Sequence, residues 1–223
     1  MLRVIGVLMV AVGCMGIDPI VAAEVSPNAR PASSAFSLAE KWQGVQRRIA
    51  DDESRFADCR AEAWMCSDAE RRLEAIVDLG RAREGRARIG EINRAVNLAI
   101  RPVSDERQFG VADHWSGPLE TIASGKGDCE DYAILKLFAL QQSGFARSDL
   151  RLIIVSERAA QSAHAVAAVR LHGRWLLLDN RFLALVDIEQ APYRVVALLE
   201  PDMDGRRYAA IDAVAAPALP GVM

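Results

Sequence analysis

Cys129 lies in the stretch "GKGDCEDYAILKLFAL" (residues 125–140), flanked by Asp128 on one side and by Glu130 and Asp131 on the other, where a glycine-bearing turn runs into a mostly apolar segment. With Asp128 as a helix N-cap, Cys129 takes the first helical position, where unpaired backbone amides and the positive end of the helix dipole favour a thiolate. A nucleophilic thiol also needs a base, and the base needs a group to orient it. Three histidines are on offer. His172 precedes Gly173 between two strand-like runs and reads as a hairpin turn residue, while His114 sits in an irregular loop beside Trp115 with no evident partner. His164 lies inside the strand-like "SAHAVAAV", where an isolated polar ring requires a hydrogen-bond partner. If His172 and Gly173 form a two-residue turn, Leu171 faces Arg174 and His164 falls opposite Arg181, with Asp179 diagonal to it on the same face. A symmetric four-residue loop keeps that register, whereas a three-residue loop puts the two on opposite faces. Asp179 also ends the apolar run "WLLLD"; its ordinary alternative is a turn-former with Asn180. Cys129, His164 and Asp179 therefore make a candidate nucleophile, base and orienter for acyl chemistry.

Three carboxylates beside a thiol work against that role, because they raise its pKa. Acids suit a first helical turn, and Asp128 with Asp131 has capping-box-like spacing, which accounts for two of them without any ligand. A hard cation would cancel the remaining repulsion, and carboxylate oxygens are calcium's preferred ligands. Asp128 and Asp131 share a helix face while Cys129 projects about 100° away. The expectation is a calcium ion held by Asp128 and Asp131, with Glu130 contributing, structural to the nucleophile's loop.

The elements that must position these groups follow from the pattern of the chain. "SLAE" at 37–40 has the form of a capping box, and helices are predicted over about 38–58, 67–79 and 86–100, with Pro102 ending the section. Residues 101–127 read as a structured loop with one short helical turn. From Tyr132 to Leu140 only Lys136 is polar, so the helix behind Cys129 is predicted to be buried, with Gly144 as its left-handed cap. Strands are predicted at 151–155, 162–171, 174–179, 183–188 and 194–200. Helices first and an antiparallel sheet afterwards give an α+β fold with the nucleophile helix packed on the sheet.

Arg3, the uncharged run from Val4 to Gly16 and the small residues Val21 to Ala23 have the order of a secretory signal cut after Ala23, followed by a leader at 24–36 rich in proline, serine and alanine. An uncleaved anchor and lipidation at Cys14 are the alternatives, and nothing after Glu24 is apolar enough to insert stably in a membrane. Residues 37–223 then form one domain, helical to about 145 and sheet from about 150 to 215. Export leaves Cys59 and Cys66 able to bridge, and Cys129 as an odd thiol, reactive or simply buried. A net charge of −3, with arginines interleaved among acids, offers no footprint for nucleic acid.

The segments "NRAVN" (93–97), "ADHWSGPLET" (112–121), "GKGDCEDYAILK" (125–136), "RLIIV" (151–155), "HAVAAV" (164–169) and "LLLDN" (176–180) resemble, in order, the bacterial transglutaminase-like cysteine peptidases of the periplasmic LapG type. The resemblance implies a papain/transglutaminase-like fold, with Cys129 as nucleophile, His164 as general base and acid, Asp179 as its orienter, and calcium dependence through the acids around Cys129. It implies as substrate the N-terminal region of a large repeat-containing outer-membrane adhesin, cut near a pair of small residues, so that the adhesin is released and biofilm disperses. It further implies an inner-membrane cyclic di-GMP receptor that sequesters the peptidase. Two alternatives stand beside it: acyl transfer or cell-wall peptide cleavage by the same triad, and a non-catalytic periplasmic module that binds calcium.

Overall fold

The segment from Glu130 to Leu140 is buried without interruption, including Lys136, so the helix that carries it, α6 (Cys129–Gln142), has no solvent face. It must be enclosed on all sides, and that requirement organises the rest of the chain. The structure, a computed structural model, describes residues 33–157 and 163–200. The predicted secretory signal, most of the predicted leader and the end of the predicted sheet part lie outside the described residues.

On one side α6 meets α2 (Asp68–Arg81), α3 (Gly85–Ala99) and α5 (Pro118–Ser124). On the other it packs on β3 (Leu150–Glu157) and β4 (Ala163–Leu171) of an antiparallel sheet. The sheet has the order β6-β5-β4-β3-β7, with β5 Arg174–Leu178, β6 Val186–Asp187 and β7 Tyr193–Leu199. Leu150, Leu152, Ala167, Val169, Leu176 and Leu178 turn inward onto the helical layer, while Ile153, Val155, Val166, Ala168 and Leu177 form a second cluster on the far face. The α+β architecture predicted from the pattern is the one observed.

The β4–β5 hairpin has the two-residue turn the sequence suggested. His172 and Gly173 both have positive φ, 50° and 80°, as a type I′ turn demands, and Leu171 pairs with Arg174. The ladder stops at Ala167 opposite Leu178, so Arg181 is not a rung, yet the register carries Asp179 to the His164 end of the sheet.

Several boundaries differ from expectation. α1 (Ser33–Ala61) begins ahead of Ser37, which is therefore inside the helix rather than its cap. The predicted loop at 101–127 contains two short parallel strands, β1 (Arg101–Pro102) and β2 (Lys126–Gly127), and two helices, α4 (Asp105–Phe109) and α5. Pro118 at the start of α5 and left-handed glycines after both helices, Gly110 and Gly125, supply start and stop signals too close together for a periodicity to show between them. The strand predicted at 183–188 shrinks to Val186–Asp187, because the carbonyls of Phe182 and Leu183 are held by α3 instead of a sheet partner.

Cys59 and Cys66 are bridged, tying the end of α1 to the residue before Ser67, the N-cap of α2. Closing so short a loop stabilises by about 2–3 kcal/mol through the unfolded chain. Reduction, or Cys66→Ser, is expected to lower the melting temperature by roughly 5–10 °C, read in thermal melts with and without reductant.

Candidate active site

Cys129 opens α6 directly after a chain reversal built on glycine. Gly125 ends α5 in the left-handed region, and a Cβ on Gly127 would come within 2.7 Å of the Asp131 side chain. Asp128 is the extended N-cap, so the Cys129 sulfur stands at the amide-rich end of the helix. Burial raises the pKa of that thiol, and the backbone amide of Ala165 on β4 works in the opposite direction. α6 packs on β4, the strand that carries His164.

His164 and Asp179 are both buried, with His164 Nε2 3.0 Å from Asp179 Oδ1. Nε2 is thereby committed to Asp179, which leaves Nδ1 as the other ring nitrogen. Asp179 is held by more than the histidine: the Arg181 amide donates to Oδ1 at 2.9 Å, and the Tyr193 hydroxyl of β7 donates to Oδ2. Burial pushes the Asp179 carboxyl up, but these hydrogen bonds outweigh it and keep the group below the usual carboxylate range. Burial, reinforced by the Asp179 charge, drives Tyr193 up to about 12, so its hydroxyl remains a donor.

The backbone after Asp179 is clamped from α3. Asn97 Nδ2 donates to the carbonyls of Asp179 (3.0 Å) and Phe182 (3.1 Å), and Asn93 Nδ2 to those of Phe182 (3.0 Å) and Leu183 (3.1 Å). One helical turn separates the two asparagines, which is why both amides meet the same loop. Sequence reasoning quoted "NRAVN" without giving it a task, and it missed Tyr193 altogether.

Around the thiol the charge problem is real. Burial and then the Glu130 charge push Cys129 up to about 12, and its sulfur donates to Glu130 Oε2 at 3.1 Å. Burial and the Asp128 charge push Glu130 up to about 8, and burial with the Asp128 and Asp105 charges pushes Asp131 up to about 7. Asp105, at the start of α4, joins Asp128 and Asp131 in one group of carboxylate oxygens lying within 4.8 Å of one another; with Glu130 and the exposed Asp113 it forms a second.

The acids divide by what their oxygens already do. Asp131 accepts the Ser116 amide at 2.8 Å and the Asp128 amide at 3.3 Å, so both its oxygens serve the backbone. Asp128 Oδ1 and Asp105 Oδ1 are buried without a hydrogen-bond partner. Oxygen-only donors, several of them charged and two of them orphaned, fit a hard cation such as calcium. Asp105 and Asp113 had no signal in the sequence that set them apart from ordinary solvated acids. His114 pairs with Glu120 at 3.3 Å and stacks near Phe109, and His172 serves its turn; the structure brings neither to the thiol.

Comparison with known proteins bears on this arrangement. No curated protein matches the sequence significantly. Among solved structures, calcium-bound Legionella pneumophila LapG is 21% identical, with a TM-score of 0.53 over 73% of this chain and 83% of that one. EGTA-treated L. pneumophila LapG gives the same identity and TM-score over 66% of this chain and 81% of that one. At that identity the likeness speaks for the fold. Family membership comes from the sequence itself, where residues 54–214 match the family described as bacterial transglutaminase-like cysteine proteinases. That match begins within α1 and runs on through α6 and the sheet, taking in the thiol, the imidazole and the carboxylate described above, and so the chain belongs to the bacterial transglutaminase-like cysteine proteinases and is a cysteine peptidase.

Proposed function

We propose that this chain is a periplasmic, calcium-dependent cysteine endopeptidase that cuts the N-terminal region of a large, repeat-containing outer-membrane adhesin, releasing it and promoting biofilm dispersal. The observation that carries the catalytic reading is the buried His164–Asp179 pair on the sheet against which the helix opened by the free thiol Cys129 is packed. In this reading His164 Nδ1 takes the thiol proton as the sulfur attacks the scissile carbonyl. The imidazolium, its Nε2–H on Asp179, then gives that proton to the leaving amine. Water, deprotonated by His164, breaks the acyl-enzyme and restores the thiol. The Cys129 backbone amide at the start of α6 is one donor for the developing oxyanion.

Calcium would be held by Asp128 and Glu130 with Asp105, and Asp113 at the rim, while Asp131 keeps the loop in place through the Ser116 and Asp128 amides. Bound there, the ion neutralises the carboxylates that oppose the thiolate. Calcium-bound and EGTA-treated LapG among the similar folds support the choice of metal. Residues 1–23 as secretory signal, and 37–223 as one peptidase domain, belong to the same reading. Among the described residues no helix is long and apolar enough to cross a membrane. In this reading the regulator is an inner-membrane cyclic di-GMP receptor.

Incubation with an adhesin N-terminal fragment in calcium, with and without a primary amine, tests the proposal. Two fragments of unmodified sequence are expected. Incorporated amine would make the chain an acyl transferase, and an intact substrate would sink the endopeptidase reading.

A further inference from the structure

Lys136 is the polar interruption in the apolar run of α6, and it is fully buried. An ammonium group taken out of water destabilises a fold unless well paired, and an apolar side chain of similar volume is often the more stable choice. Packing alone therefore does not account for a lysine here. Its surroundings point instead at the candidate triad. Lys136 follows Cys129 by two helical turns, and its Nζ donates at 3.1 Å to the carbonyl of Leu178, the residue immediately before Asp179. The amino group lies 5.7 Å from the centre of the Tyr132 ring, and the negative charge of Asp179 offsets part of the burial that draws its pKa down to about 7.

The end of β5 is thus fixed from three directions. Lys136 holds the carbonyl before Asp179, Asn97 the carbonyl of Asp179 itself, and Tyr193 its carboxylate. Of these, Lys136 is the one that sits on the nucleophile's own helix. Resting on the reading of Cys129, His164 and Asp179 as a triad, we infer that Lys136 is a positioning residue for the reaction: its buried amino group, on the Leu178 carbonyl, ties the end of β5 to α6 and so keeps Asp179 aimed at His164.

The test needs no known substrate. Signal-cleaved protein in calcium is treated with iodoacetamide at pH 7, and alkylation of Cys129 is followed by mass spectrometry for wild type, His164→Ala and Lys136→Met, with thermal melts alongside. The expected result is alkylation slowed at least about 10-fold in both variants, with Lys136→Met melting at or above the wild-type temperature. Alkylation of Lys136→Met at the wild-type rate, while His164→Ala is slow, overturns the inference and leaves the triad intact. A Lys136→Met variant that melts well below wild type or fails to fold overturns it too, by assigning the lysine to the core. A His164→Ala variant as fast as wild type overturns the triad reading itself, and the inference falls with it.

Discussion

Cys129→Ala is expected to abolish cleavage of the adhesin fragment, and the two simplest changes at Asp179 are expected to differ sharply from one another. Asp179→Ala is expected to lower kcat about 10³-fold, within the range that a positioned acid–base group supplies, whereas Asp179→Asn loses only about 10-fold, the part that rests on the carboxylate's charge. The reason is the way this carboxylate is held. Oδ1 accepts from both His164 Nε2 and the Arg181 amide, and Oδ2 accepts from the Tyr193 hydroxyl. A hydroxyl can turn around and accept, but a backbone amide cannot. An asparagine therefore places its oxygen toward Arg181 and His164 and its amino group toward Tyr193, so the imidazole keeps its tautomer and orientation. Alanine leaves His164 buried without a partner, free to rotate off the thiol. Steady-state kinetics on the adhesin fragment, with circular dichroism to establish folding, measure both. Equal losses for the two variants would mean that Asp179 acts through its charge alone and not by orienting His164.

How much of this was legible in the sequence can be traced residue by residue. The hairpin register was legible because one dipeptide, His172-Gly173, fixes the turn, and a period of two then carries Leu171–Arg174 toward the His164 end without further information. The burial of α6 was legible because a helix apolar on every face has nowhere else to go. Asp105 was not legible, because an acid in a first helical turn is favourable with no ligand at all, and only its three-dimensional meeting with Asp128 and Glu130 sets it apart. Nor was the service given by Asn93, Asn97 and Tyr193, since their partners are carbonyls and a carboxylate 14 to 90 residues away. Side chains that bind distant backbone leave no period behind. The anchoring of Asp131 was hidden for the same reason: spacing offered it as a ligand, while its oxygens also accept two amides, one of them from Ser116 in a different loop.

That anchoring makes the acids separable by experiment. Chelating calcium is expected to slow cleavage at least about 100-fold, because each unit added to the thiol pKa removes nine-tenths of the remaining thiolate, and the Glu130 and Asp128 charges add to the burial that pushes Cys129 up to about 12. The same carboxyls govern stability. Without the ion, Glu130 titrates at about 8 and Asp131 at about 7, both above their ordinary values. The folded chain then binds protons that the unfolded chain has released, and its stability falls as pH rises from the usual carboxylate range to about 8. Chelated protein is therefore expected to melt about 5 °C lower at pH 8 than at pH 5.5, and calcium to remove most of that difference. Glu130→Gln deletes a charge that only the ion can compensate: in chelator at pH 8 it is expected to melt above wild type, with its response to calcium lost. Asp131→Asn has the opposite signature. It replaces one of two acceptors for the Ser116 and Asp128 amides with a donor, so it is expected to lose about 1–3 kcal/mol whether or not calcium is present. Differential scanning calorimetry at the two pH values, in calcium and in chelator, reads all of this. A melting temperature that rises with pH in chelator, or equal calcium responses in wild type and Glu130→Gln, would remove the ion from these carboxylates.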